Sequence, residues 1–184
     1  MNDLTIVLAL KDRSNFTYRW MGYAEKKFPD YKIIIADGGK GKENETILSN
    51  KSNYKKIDYQ YYRYPYDSNN IQFFSKLSDA INKVDTEYCL LADNDDFFIK
   101  AGIDQSISFL KTNKDYSCCR GLIGQFSINP VKKNIDNVYI AHGEISLSHE
   151  DPLSRLTKVF SWNHQCLPCF YDVHRTKNIK NIFR

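Results

Sequence analysis

The segment Asp93-Asn94-Asp95-Asp96 packs three carboxylates into four residues. Carboxylates held so close repel one another, and one of them stays protonated unless a cation joins the group. A divalent ion that favours hard oxygen ligands, Mg²⁺ or Mn²⁺, removes that cost. Asp93 and Asp95 alternate, so both can reach one ion as a strand ends, with Asn94 between them as an uncharged spacer. The plain alternative is a solvated acidic turn. The flanks favour the metal reading: apolar Tyr88-Cys89-Leu90-Leu91-Ala92 runs directly into the acids and Phe97-Phe98 follows them.

Other acid-rich or phosphate-binding patterns fail on spacing. A calcium EF-hand loop needs Gly at its sixth position and Glu at its twelfth, where counting from Asp93 gives Phe98 and Asp104. A phosphatase-type nucleophilic Asp would follow the first strand with a Gly- and hydroxyl-bearing turn, but Lys11-Asp12-Arg13-Ser14 stands there. Gly38-Gly39-Lys40-Gly41-Lys42 is too short between its glycines for a Walker loop and continues with Glu43, so it reads as a flexible turn.

The elements around these residues are α/β in pattern. Leu4 to Leu10 is an unbroken apolar run, as in a strand buried on both faces. Phe16, Trp20, Met21, Ala24 and Phe28 then recur at helical spacing, and Tyr31 to Ala36 forms a second strand ending in Asp37-Gly38-Gly39. Such a β–α–β unit forces parallel pairing. A short helix over 45–50, a strand over 57–64, a helical stripe from Phe73 to Val84 and a strand over 88–92 follow. Beyond these come a helix over 102–110, strands over 117–128 and 137–141, a helix over 152–160 and a strand over 165–174. A mixed, mainly parallel sheet in one domain is expected, with 1–98 as one half and 99–184 as the other. Open α/β sheets bind ligands at the carboxyl ends of their strands. Asp12, Asp37 and Asp93 to Asp96 all fall at such ends.

These residues together resemble the nucleotide-binding half of a GT-A fold glycosyltransferase of the broad inverting family two. Thr5-Ile6-Val7-Leu8 resembles that family's opening strand. Ile33-Ile34-Ile35-Ala36-Asp37-Gly38-Gly39 resembles its Asp-Gly-Ser strand end. Glu87-Tyr88-Cys89-Leu90-Leu91-Ala92-Asp93-Asn94-Asp95-Asp96 resembles its Gly-Glu-Tyr strand leading into an Asp-X-Asp-Asp motif. The order and spacing of all three agree, over residues 5 to 98. The resemblance implies a GT-A sandwich, a nucleotide-diphosphate sugar donor, Mn²⁺ or Mg²⁺, and an inverting transfer to a glycan or lipid-linked acceptor. It implies that Asp12 and Asp37 contact the nucleoside, Asp37 through the base. Asp93 faces the ribose or metal, Asp95 is the main metal ligand, and the helix from Asn70 lies over the donor. Lys76 stands near the place of a donor-holding Arg-Asn pair. Glu150-Asp151, before Pro152 and a helix, matches the context of the family's catalytic base, with Asp151 ahead of Glu150; an ordinary helix cap is an equal reading. Some GT-A enzymes add a late histidine to the metal, and His174 is the candidate.

The rest of the sequence bounds the alternatives. The net charge of +4 is too small to argue for nucleic acid and suits an anionic small molecule, or peripheral contact with an anionic membrane face. No apolar stretch has spanning length, and Met1-Asn2-Asp3-Leu4 carries no signal-peptide pattern, so the expected compartment is the cytoplasm. Five cysteines then read as reduced thiols. His164, Cys166, Cys169 and His174 are nested in an order unlike zinc fingers. Tyr54 to Tyr66 interleave with basic residues, a pattern that could stack on bases or sugars, but they alternate as a strand does. Two other functions stay open: a sugar nucleotidyltransferase, whose Gly-rich Arg-bearing loop is missing, and a non-catalytic nucleotide-sugar-binding domain.

Overall fold

The structure, a computed structural model, describes residues 3–129, 131–142, 146–161 and 170–184. Its main sheet has six strands in the order β3-β2-β1-β4-β8-β5. The strands β1 (Leu4–Leu10), β2 (Lys32–Asp37), β3 (Asp58–Arg63) and β4 (Tyr88–Asp93) are mutually parallel. β8 (Val173–Arg175) runs antiparallel to β4 and to β5 (Cys118–Cys119). The expected mixed, mostly parallel α/β sheet is what the chain forms.

β1 shows why both faces must be covered. Leu4, Ile6, Leu8 and Leu10 point to one side and Val7 and Ala9 to the other, as a period of two requires. The first side packs on α1 (Ser14–Lys27) through Trp20, Met21 and Ala24. It also meets α2 (Glu43–Leu48) and α4 (Lys100–Thr112), through Leu48, Ile103, Ile107 and Leu110. The second side packs on α3 (Asn70–Asn82) through Leu77, Ala80 and Ile81, and on α6 (Thr176–Ile182) through Ile179. The result is a three-layer α/β/α sandwich. Asn69 caps α3, its side chain accepting from the Ile71 and Gln72 amides.

The chain divides into two compact units, 1–120 with 169–184 and 121–168. The cause is β8: the chain returns to complete the first sheet between β4 and β5. The continuous strand expected over 117–128 is two strands in different sheets, because β6 (Ile123–Ile128) pairs with β7 (Ile135–His142) alone. The second unit also holds α5 (Pro152–Ser161). Helix α6 was not read from sequence. His164, Cys166 and Cys169 lie outside the described residues, as does most of the strand expected over 165–174.

Candidate functional site

The carboxyl ends of β1, β2 and β4 are neighbours, since Ala9 stands in register with Ala36 on one side and Asp93 on the other. The topology therefore brings Asp12, Asp37 and the acidic run to one rim. Among the described residues, Asp93, Asp95 and Asp96 offer ligand oxygens that lie within 4.8 Å of one another. A Mg²⁺- or Mn²⁺-sized ion holds oxygens about 2.1 Å from its centre, hence up to about 4.2 Å apart. An all-carboxylate donor set is the right chemistry for such an ion. The fit is good.

The acids stay together because each is answered. Arg13 Nη1 donates to Asp95 Oδ2 at 2.5 Å. The Tyr171 hydroxyl is shared between Asp96 Oδ2 at 2.7 Å and Asp93 Oδ2 at 3.1 Å. Asp93 is the inner member. Burial pushes its carboxyl up to about 6; the Tyr171 bond and Lys76 charge oppose the shift, while Asp95 and Asp96 reinforce it. Tyr171 itself is raised by burial and by its two acidic partners.

Asn94, expected as a spacer, is an anchor. It is buried and donates to Thr17 Oγ1 at 3.0 Å and to the Arg13 carbonyl at 3.4 Å. It thus turns away from the acids and ties their loop to the start of α1. That start is unusual: Asp12 and Arg13 both adopt positive φ, 58° and 51°. Non-glycine residues take this conformation only where the surroundings impose it.

Two clefts flank the Asp12-Arg13 turn. One of about 510 Å³ is lined by Leu10 at the end of β1, Lys11, Asp12 and Arg13 of the turn after it, Phe73 from α3, and Asp93 to Asp95. The other, about 390 Å³, lies between Asp12 to Phe16 and Gly39 to Asn44. Both have the size of small-ligand sites, and the first opens directly on the acids.

Two residues expected to touch a donor are instead enclosed. Asp37 has no exposed surface. Its Oδ1 accepts from the Gly39 amide at 2.8 Å, and its Oδ2 accepts from the Tyr61 hydroxyl at 2.7 Å and from Arg63 at 3.0 Å. Its carboxylate ties the Gly39 turn to β3. Lys76 is 2% exposed and pairs with Asp67, itself 1% exposed, while donating to the Leu10 carbonyl at 2.8 Å. It fastens the end of β1 to the loop before α3.

The Gly38-Gly39 turn is braced rather than loose. A Cβ on Gly38 would lie 2.3 Å from Asp67 Oδ1, and one on Gly39 would lie 2.8 Å from the Asp12 amide nitrogen. Asp12 in turn accepts from the Lys40 amide at 2.7 Å. The turn has glycines because two loops meet there with no room for a side chain.

His174 is not part of the acidic group. It is buried on β8 opposite Cys89, four positions before Asp93, which sets its backbone about 13 Å back along the strand. Asp151 and Glu150 belong to the second unit. Asp151 caps α5, accepting from the Leu153 amide at 3.2 Å and the Ser154 amide at 2.7 Å, and the bonds to Ser154 hold its carboxyl below the usual range. The tyrosines of β3 are engaged within the fold: Tyr59 donates to the Leu48 carbonyl and Tyr61 to Asp37.

Three participants were not assigned from sequence. Asp96 completes the oxygen set and could have been read from its place in the run. Arg13 could have been suspected as the basic residue after the first strand. Tyr171 had no local signal, because its reach to the acids depends on how β8 enters the sheet.

No family model matches the chain, and no curated protein does. Solved structures do. The chain superposes on S. aureus TarS 1–349 with a TM-score of 0.60 at 10% identity, covering 99% of this chain and 49% of that one. It superposes on TarS 1–349 in complex with UDP with a TM-score of 0.58 at 10% identity, and with UDP-GlcNAc with 0.59 at 11%. These cover 99% of this chain and 49% and 47% of theirs, so the chain spans about half the length of the structures it matches. At such identity the likeness establishes a shared fold.

Proposed function

We propose that this chain is the donor-binding part of a metal-assisted glycosyltransferase that takes a nucleoside-diphosphate sugar. The observation that carries the reading is the group of three carboxylates at the end of β4, bordering a 510 Å³ cleft in this sheet topology. It is supported by the likeness to TarS, a glycosyltransferase whose structures include UDP and UDP-GlcNAc complexes.

In this reading Asp93, Asp95 and Asp96 hold Mn²⁺ or Mg²⁺. When bound, such an ion neutralises charge on the diphosphate leaving group. Asp12, on the cleft wall, is assigned to the nucleoside. Lys11 and Arg13 add positive charge where the phosphates would run. Asp37 and Lys76 act as positioning residues, since both are buried. Inversion at the anomeric carbon needs a base to take the acceptor hydroxyl's proton. The candidates for that base are Asp151 and, second, Glu150. The acceptor is a glycan or a lipid-linked sugar. Among the described residues no helix is long and apolar enough to cross a membrane.

Calorimetric titration with UDP and GDP, with and without Mn²⁺, tests the reading. Metal-dependent nucleotide binding that Asp95→Ala abolishes is the expected result. Nucleotide binding indifferent to both metal and Asp95 would defeat it. A donor-binding domain without turnover would bind UDP-GlcNAc with Mn²⁺ and release no UDP over hours.

A further inference from the structure

Resting on the metal-assisted reading above, we propose that Arg13 is a positioning residue that alternates between two anions. In the ion-free protein its guanidinium serves as the counter-cation of Asp95. When a divalent cation takes that carboxylate, Arg13 turns into the cleft and pairs with the donor's diphosphate.

The root of Arg13 is fixed by its backbone, while its exposed tip meets Asp95 and lies over the Phe16 ring, 5.9 Å from the centroid. Its backbone sits at φ 51° and ψ 49°, directly after Asp12 at φ 58°. Its carbonyl accepts from the Phe16 amide at 3.0 Å, the Thr17 amide at 3.3 Å and Asn94 Nδ2 at 3.4 Å. The turn is therefore tied to the very loop that bears the acids. The side chain beyond it is 58% exposed and meets Asp95, 39% exposed, through one nitrogen and one oxygen. A one-point ion pair at this exposure is weak and easily exchanged. Two-point pairing, which makes arginine–carboxylate contacts strong, is absent from this contact.

The cleft supplies the destination. Arg13 lines both clefts beside the turn, and in the larger one Lys11 is the other cationic side chain on the wall. A bound divalent ion leaves the three carboxylates one negative charge in excess, and a nucleoside diphosphate adds more. The guanidinium set free by the ion already lines this cleft and can answer that charge. A guanidinium matches phosphate oxygens in pairs, the geometry it lacks on Asp95. Ion and nucleotide would then bind cooperatively through one side chain.

Mn²⁺ is titrated into wild type, Arg13→Gln and Arg13→Lys without nucleotide, by calorimetry or by the loss of free Mn²⁺ spin signal. UDP is then titrated into each at saturating Mn²⁺. Removal of the competing cation is expected to tighten Mn²⁺ roughly two- to fivefold in Arg13→Gln. Loss of the phosphate contact is expected to weaken UDP roughly tenfold in the same variant. Arg13→Lys falls between on both scales. A merely structural arginine would weaken both ligands together. Unchanged or weaker Mn²⁺ binding in Arg13→Gln, or unchanged UDP binding, overturns the proposal. If wild type binds Mn²⁺ and only this opposed pattern is missing, Arg13 alone loses its role. If wild type binds no Mn²⁺, the metal-assisted reading falls with it.

Discussion

Lys76→Met separates structural from ligand-binding roles for a lysine that sequence places near the donor. Lys76 and Asp67 have side chains 1% exposed each, so their charges face one another with almost no water. Burial pulls the lysine's pKa down, and the Asp67 hydrogen bond and charge pull it back. Methionine keeps the length of the stem but leaves Asp67 as a buried carboxylate with no counter-charge, and its Oδ1 already lacks a hydrogen-bond partner. Breaking a buried pair from one side costs about 3–5 kcal/mol. For a chain of this length each kcal/mol lowers Tm by about 2–4 °C, so a fall of about 6–20 °C is expected. Thermal unfolding followed by circular dichroism reads it. Adding Asp67→Asn removes the stranded charge and should restore most of the loss, because replacing both partners is far milder than removing one. A Lys76→Met protein that melts within about 2 °C of wild type, yet loses UDP binding, would refute the argument and return Lys76 to the donor.

Mn²⁺ affinity should depend on pH through Asp93. Its carboxyl is raised to about 6, so below that pH a proton competes with the ion. Affinity should rise with pH to a plateau above about 6 and fall by up to about tenfold per unit beneath it. Stability without the ion has the opposite sign. The folded state holds a proton that the unfolded chain has lost between about 4 and 6, so stability falls as pH rises through that window, which acid-range melting curves check. Tyr171→Phe removes a bond that lowers Asp93, so the midpoint of the Mn²⁺ titration should move to higher pH; an unmoved or lower midpoint would contradict the assigned contact. Gly38→Ala puts a methyl 2.3 Å from Asp67 Oδ1, beside a lysine and carboxylate that cannot give way. A loss of about 1–3 kcal/mol in urea unfolding is expected.

The parallel half of the sheet was legible because its signals are local. Leu4 to Leu10 and Tyr88 to Ala92 are short apolar runs, and Trp20, Met21 and Ala24 mark one face of α1. The acidic run was legible for the same reason, and so was the meeting of strand ends, which parallel topology dictates. What stayed hidden depends on contacts far apart in the chain. Asp37 looks like a free strand-end acid until Tyr61 and Arg63 arrive from β3 and seal it. Lys76 stands where a donor contact is expected until Asp67, from the loop before α3, pairs with it in the interior. His174 looked available because its strand could not be placed, and antiparallel pairing with β4 sets it beside Cys89 instead. Asn94 was judged by what it lacks, a charge, while its amide has its own partners on α1.

The point at which the chain leaves the main sheet has an evolutionary meaning. Cys119 and Val173 are partners in the β5–β8 ladder, and Arg120 and Asp172 form an ion pair at 3.7 Å just beyond them. Departure and return are thus side by side, on strands that would stay paired whatever runs between them. Loops whose ends already touch tolerate exchange of the intervening segment well. Residues 121–168 form a compact unit of their own between those two points. The acids, their tyrosine and both clefts all belong to the unit on the near side of this seam, whose sheet β8 completes when the chain returns.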